Sequence, residues 1–181
     1  MRVIAGLAKG RRLFSVPGQD TRPITDRVKE ALFDILADRI TNSRFVDLFA
    51  GTGGVGIEAL SRGARHATFV DSQRRAVSTI HRNLEVTGLA ESARVLQRDA
   101  FKFIAGYQGE PFDIVYVAPP QYQGLWSRML KALTGSAALA PGSLVVVQMY
   151  PKEFKPLELQ QLVLCDQRKY GSTMLCFYEA V

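Results

Sequence analysis

The sequence predicts an α/β fold: a mostly parallel sheet with helices on both faces. Three observations carry that prediction. Strand-like and helix-like segments alternate from Arg44 onward. A glycine-rich loop separates the first strand of that alternation from its first helix. Residues 112–117 are largely apolar on both faces, as a central parallel strand should be. The chain has 181 residues, 47% of them hydrophobic and 22% charged. These values fit one globular domain, residues 1–181, and exclude long disorder.

Residues 2–16 alternate loosely around Gly6 and Gly10 and predict a short β-hairpin. Pro17-Gly18-Gln19-Asp20 is a turn signal. Thr25 then stands before Asp26, and Val28, Ala31, Leu32, Ile35 and Leu36 recur at helical spacing. A threonine cap with an acid in the first turn starts a helix that should run to about Arg39. Residues 1–43 thus form an extension ahead of an alternating core, residues 44–181. In that core, residues 45–49, 68–71, 94–96, 112–117 and 143–149 predict strands. Residues 57–62, 73–86, Ala100–Ala105 and Leu125–Leu133 predict helices, with Gly63 and Gly88 stopping the first two. Residues 162–166 and 173–179 predict two closing strands around Tyr170-Gly171. Ligands of such sheets bind beyond the carboxyl ends of the strands, so the residues following each strand are the ones to read.

Net charge is +6, and it is uneven. Met1 to Lys29 holds seven basic residues (Arg2, Lys9, Arg11, Arg12, Arg22, Arg27 and Lys29) against Asp20 and Asp26, a balance of +5. A basic segment of this kind suits a polyanionic partner, or simply a solvated surface. The two cysteines, Cys165 and Cys176, lie in apolar runs and read as core residues. Their number excludes a disulfide framework or a cysteine-built zinc site, and a reducing, cytoplasmic location is expected. No apolar run approaches the roughly 20 residues a membrane helix needs, and the N-terminus lacks a signal-peptide core. No membrane partner is expected.

The strongest motif is Asp47-Leu48-Phe49-Ala50-Gly51-Thr52-Gly53-Gly54-Val55-Gly56. Gly51, Gly53 and Gly56 fit G-x-G-x-x-G after a strand and before a helix, and Asp71 ends the next strand. Spacing alone would allow a dinucleotide. Asp47 argues against it, because a pyrophosphate beside that acid would be repelled while an amine or sulfonium would be attracted. S-adenosylmethionine carries both cations, and a ribose for Asp71. Asp99, after the third strand, could accept from an adenine amino group, cap the following helix, or do both. A tight turn is what a glycine loop alone would mean; with Asp47 and Asp71 in place that reading loses weight.

The glycine motif resembles motif I of class I S-adenosylmethionine-dependent methyltransferases. More narrowly, the chain resembles RsmD-type 16S rRNA guanine-N2 methyltransferases. Four segments carry this: Arg2-Val3-Ile4-Ala5-Gly6 with Gly10-Arg11-Arg12-Leu13; Thr21-Arg22-Pro23-Ile24-Thr25-Asp26-Arg27 through Phe33; the glycine loop through Glu58-Ala59-Leu60-Ser61-Arg62-Gly63-Ala64; and Tyr170-Gly171. Motif I identifies only the superfamily, whereas the Thr-Arg-Pro segment joined to it is far more specific. The resemblance implies a Rossmann-like seven-stranded sheet with an N-terminal β-hairpin and helix extension. It implies a cofactor site of Asp47, Phe49, Gly51, Thr52, Gly53, Asp71, Ser72, Asp99 and Ala100, binding S-adenosylmethionine and leaving S-adenosylhomocysteine, with no metal. It further implies that Lys9, Arg11, Arg12, Arg22 and Arg27 hold RNA phosphates, that the partner is 16S rRNA or the small ribosomal subunit, that guanine 966 is the target, and that the enzyme is a monomer. Phosphate contacts would position the RNA without reading its sequence.

One site departs from the family. Where it has Asp or Asn, Pro-Pro, then Tyr or Phe, this chain has Ala118-Pro119-Pro120-Gln121-Tyr122. A guanine amine is a poor nucleophile, and acceptors for its N–H bonds help localise the lone pair. The side-chain acceptor is missing at Ala118, while the two prolines still fix a backbone carbonyl. Loss of one such acceptor costs roughly 10²–10³ in rate. The expected machinery is therefore Ala118, Pro119, Pro120 and Tyr122, with the aromatic stacking on an extruded base. Two alternatives remain open: a non-catalytic or differently targeted S-adenosylmethionine and RNA binder, or an NAD-dependent oxidoreductase. His66, read as a loop residue, and His81, on a helix surface, have no metal-site spacing, and Trp126 reads as packing.

Overall fold

The computed structural model describes residues 1–19 and 23–181. Its strands are β1 (Arg44–Asp47), β2 (His66–Asp71), β3 (Ala93–Gln97), β4 (Ile114–Val117), β5 (Leu144–Met149), β6 (Leu162–Tyr170) and β7 (Thr173–Ala180). They form one sheet in the order β3-β2-β1-β4-β5-β7-β6. The first five pair in parallel; β7 runs antiparallel to both β5 and β6. The chain moves outward from β1 through β2 to β3, then returns to the other side of β1 with β4. The switch point therefore lies between β1 and β4, with Asp47 level with Tyr116.

The helices are α1 (Asp26–Leu36), α2 (Gly54–Ser61), α3 (Arg74–Thr87), α4 (Ala100–Ala105) and α5 (Leu125–Leu133). Strand alternation divides the core in two. Phe45, Ile114, Tyr116 and Val146 point toward α1, α2, α3 and the N-terminal segment. Val46, Val115, Val117 and Val145 point toward α4 and α5, where Trp126 is buried as expected. All four β4 residues are buried, which explains their unbroken apolar character.

Thr25 caps α1, accepting from the Val28 amide at 3.3 Å. The helix stops at Leu36 and tightens into a 3-10 turn over Ala37–Arg39. Strand β1 ends at Asp47, two residues early, and α2 begins at Gly54, three residues early. Strand β6 runs on to Tyr170. Because β6 is the sheet edge, Cys165 is exposed rather than core, while Cys176 on β7 is buried. His66 begins β2 instead of lying in a loop.

The N-terminal hairpin is closed by a single antiparallel bridge, Arg2 to Arg12, rather than by paired strands. The reason is that residues 4–8 give their amides to α2 instead. Ile4 and Ala5 donate to the Glu58 carboxylate at 3.0 and 3.1 Å, and Ala8 donates to Ser61 Oγ at 2.9 Å. Gly6 makes this approach possible: it sits at φ +82°, and a Cβ there would lie 1.8 Å from the Ser61 carbonyl oxygen. Lys29, counted above as part of a basic surface, is fully buried and ion-paired with fully buried Glu58 at 3.2 Å. Its ammonium also donates to the Arg2 carbonyl at 2.6 Å.

Candidate functional site

The parallel arrangement brings the carboxyl ends of β1, β2, β3 and β4 side by side. Asp47 ends β1 and is 1% exposed. Its Oδ1 has no hydrogen-bond partner. Burial raises its pKa to about 8, a backbone hydrogen bond from Phe49 opposes the rise, and the nearby Asp71 charge adds to it. A buried carboxylate with a free oxygen is costly unless something cationic completes it. The chemistry left open there is that of an amine or sulfonium, not of a phosphate.

The glycine loop follows. The Gly51 amide donates to Asp71 Oδ2 at 2.9 Å, and the Gln73 amide donates to Asp71 Oδ1 at 2.9 Å. Asp71 thus ties the loop to the end of β2. Each carboxylate oxygen keeps further acceptor capacity, enough to take ribose hydroxyls. Gly53 adopts φ +78° as it turns into α2. Gly56 serves close packing: a Cβ there would lie 2.4 Å from the Phe69 ring. Thr52 Oγ1 accepts from the Gly54 amide at 3.2 Å. Ser72 is exposed next to Asp71.

Asp99 caps α4, accepting from the Lys102 amide at 2.9 Å, and Ala100 behind it is buried. Phe49 and Phe101 meet edge to face, with centroids 6.4 Å apart. This wall of Ala100, Phe101 and Phe49 suits a planar aromatic ligand.

Ala118 and Pro119 follow β4, half-buried, and Pro120 is exposed. Tyr122 is 67% exposed and adopts φ +61°, rare for a residue with a side chain. Glu153 holds it there, accepting from the Tyr122 amide at 2.7 Å, and the ring packs 5.6 Å from Tyr150. Sequence reasoning missed Glu153, whose spacing from Tyr122 carries no signal. It also missed Asn83, buried on α3. Asn83 Nδ2 donates to the Thr52 carbonyl at 2.8 Å and to the Phe14 carbonyl at 3.1 Å, while its Oδ1 accepts from the Phe14 amide at 2.7 Å. One side chain thereby joins the glycine loop to the N-terminal segment.

Of the basic residues singled out, Lys9, Arg11, Arg12 and Arg27 are exposed. Arg22 lies outside the described residues. Among the described residues no group of three or more His, Cys, Asp or Glu could hold a metal ion. No described helix is long and apolar enough to cross a membrane.

The model of the family described as "Conserved hypothetical protein 95" matches residues 1–179. The Escherichia coli K12 protein named ribosomal RNA small subunit methyltransferase D is 38% identical over 148 residues, covering 82% of this chain and 74% of its own. The Haemophilus influenzae protein of that name is 35% identical over 159 residues, covering 87% of this chain and 81% of its own. The solved structure of the Escherichia coli protein yhhF, described as a candidate methyltransferase, superposes with a TM-score of 0.86 at 35% identity. It covers 99% of this chain and 97% of that one.

Proposed function

This chain belongs to the RsmD family of small-subunit ribosomal RNA methyltransferases, and from that premise we propose that it methylates the exocyclic N2 of a guanine in 16S rRNA, guanine 966 by family analogy. The observation that carries the cofactor part is the buried, half-unpartnered carboxylate of Asp47 at the switch point. Bound S-adenosylmethionine supplies a methyl group made electrophilic by its sulfonium. Asp47 would accept from the cofactor's amino group, Asp71 from its ribose hydroxyls and Asp99 from its adenine amine, with Phe49, Ala100 and Phe101 as the apolar wall for the base. Gly51, Thr52 and Gly53 would let the backbone come close, and Ser72, next to Asp71, would serve the ribose side. No metal is called for by this donor set. The reading places the protein in the cytoplasm, working as a monomer.

At the acceptor side, the carbonyls held by Ala118-Pro119-Pro120 take the N–H bonds of the guanine amine and localise its lone pair. Tyr122 stacks on the extruded base, and Lys9, Arg11, Arg12, Arg22 and Arg27 hold phosphates around it. Much of the rate then comes from holding donor and acceptor in line. Ala118→Asn restores the missing acceptor and is expected to raise kcat by about tenfold or more, with little change in KM for the cofactor. Steady-state methyl transfer measures it, and an unchanged or lower kcat would show that the carbonyls alone are already optimal.

The deciding experiment is transfer of labelled methyl groups from S-adenosylmethionine to small ribosomal subunits lacking the modification. Label at one guanine N2 is the expected result. Tight S-adenosylhomocysteine binding with no label at guanine N2 would overturn the assignment. Competition of NAD with S-adenosylhomocysteine would point instead to hydride chemistry.

A further inference from the structure

Beside the cofactor loop lies a groove of about 610 Å³ that the family motifs do not include. One wall is the N-terminal segment at Phe14, Ser15 and Pro17; the other is the outer face of α3, with Arg74, Arg75 and Arg82. We infer that this groove is a second RNA-binding site, which takes the phosphate backbone and one unstacked base of the strand flanking the target nucleotide. The inference rests on the methyltransferase reading above and extends it.

Four observations carry it. The three arginines are exposed, and among the described residues none is within ion-pair distance of a carboxylate. Three guanidinium groups with no carboxylate partner among the described residues, gathered on one concave surface, make a positive cleft, which attracts a polyanion more than scattered charges do. The Arg82 guanidinium lies over the Phe14 ring, 3.5 Å from its centroid, and Phe14 remains 37% exposed. A stacked arginine and aromatic pair offers a flat platform beside a charge, a combination that suits a base and its phosphate in single-stranded RNA. Finally, α3 begins three residues after Asp71, so the groove opens at the lip of the cofactor site. The wall itself is firmly held, since buried Asn83 fixes both backbone groups of Phe14.

The occupant is RNA rather than a free nucleotide, because the cleft is an open groove rather than an enclosed cavity, and it sets three guanidinium groups beside an apolar floor that includes the Phe14 ring. It continues the basic N-terminal segment. The phosphates would bind Arg74 and Arg75, and a base would lie on the platform of Phe14 and Arg82.

The test compares wild type with Arg74→Ala/Arg75→Ala and with Arg82→Ala. Binding to unmodified small ribosomal subunits is measured over a series of salt concentrations, alongside S-adenosylhomocysteine binding and thermal melting. The expected result for the double variant is about tenfold to 100-fold weaker subunit binding at low salt, with the slope of log K against log salt shallower by about 1–2. S-adenosylhomocysteine affinity and melting temperature should stay as in wild type. Arg82→Ala should weaken subunit binding with a smaller change in slope. If wild type methylates subunits and both variants match it in affinity and slope, the groove is not an RNA site and the function stands. If the variants lose S-adenosylhomocysteine affinity in proportion, the arginines serve the cofactor site and the inference falls. If wild type neither binds nor methylates subunits, the function fails and the groove assignment fails with it.

Discussion

Asp47→Asn is expected to weaken S-adenosylmethionine binding about 100-fold and, in the same protein, to raise the melting temperature of the ligand-free form at pH 8. The two effects have one cause. Asp47 is buried, its Oδ1 is unpartnered, and its pKa is raised to about 8. A folded-state pKa above the unfolded one means that the native state holds the proton more tightly. Ligand-free stability is therefore greatest below the ordinary aspartate pKa and falls as pH rises from about 4 to 8. Asparagine removes that loss, which is of the order of a few kcal/mol by pH 8. It also removes the negative charge that a cationic amine needs, and charge-assisted hydrogen bonds are the strong ones.

The wild-type cofactor affinity carries the same signature. Asp47 is mostly protonated at neutral pH, so the cofactor should bind more tightly as pH rises from about 6 to 7, where its own amine stays charged, and should release a proton on binding. Calorimetry in two buffers of different ionisation enthalpy measures both. A pH-independent affinity in wild type, or an unchanged affinity in Asp47→Asn, would remove Asp47 from the cofactor site.

Asp47 was legible because its position four residues before Gly51 follows from chain order alone. So were the glycine loop, Asp71 and Asp99, since each lies at or shortly beyond the end of a strand whose apolar pattern marks it. What the sequence hid is long-range. Lys29 reads as one more surface cation on an amphipathic helix, and Glu58 as a polar residue inside a motif. Their burial depends on how α1 crosses α2, which no local pattern encodes. Arg74, Arg75 and Arg82 carry no sequence signal of their own; only the N-terminal segment folding back against α3 makes them one wall of a groove. Glu153 is silent for the same reason, because its contact with Tyr122 spans 31 residues. Cys165 misled because its apolar neighbours fit an edge strand as well as a central one.

The buried pair predicts the largest effect on stability, and an asymmetric one. Glu58 accepts from Lys29 at 3.2 Å, Arg62 at 2.9 Å and the amides of Ile4 and Ala5. Lys29 has, besides Glu58, the Arg2 carbonyl. Glu58→Ala therefore strands a buried ammonium and two amides at once, and should cost about 3–5 kcal/mol or more, enough to unfold a marginal domain. Lys29→Met leaves Glu58 with the Arg62 guanidinium and both amides, so it should cost less. The double variant Lys29→Met/Glu58→Gln keeps an acceptor for the amides and buries no unpaired ammonium. It should recover a large part of the loss, because replacing a buried pair is far cheaper than breaking one. Denaturant melts of these proteins and of the single variant Glu58→Gln, which completes the cycle with Lys29→Met, measure this, and hydrogen exchange at Ile4 and Ala5 locates it. Equal losses from the two single changes, or additivity in the double variant, would show that the pair does not hold the N-terminal segment. The functional consequence follows from what that segment carries. Lys9, Arg11 and Arg12 ride on a strip of chain that Glu58, Ser61 and Asn83 clamp to the cofactor-binding core. Loosening the clamp at Glu58 should therefore weaken binding of small ribosomal subunits before it weakens S-adenosylhomocysteine binding, because Asp47 and Asp71 lie on β1 and β2 and the glycine loop keeps its contacts with Asp71 and Asn83.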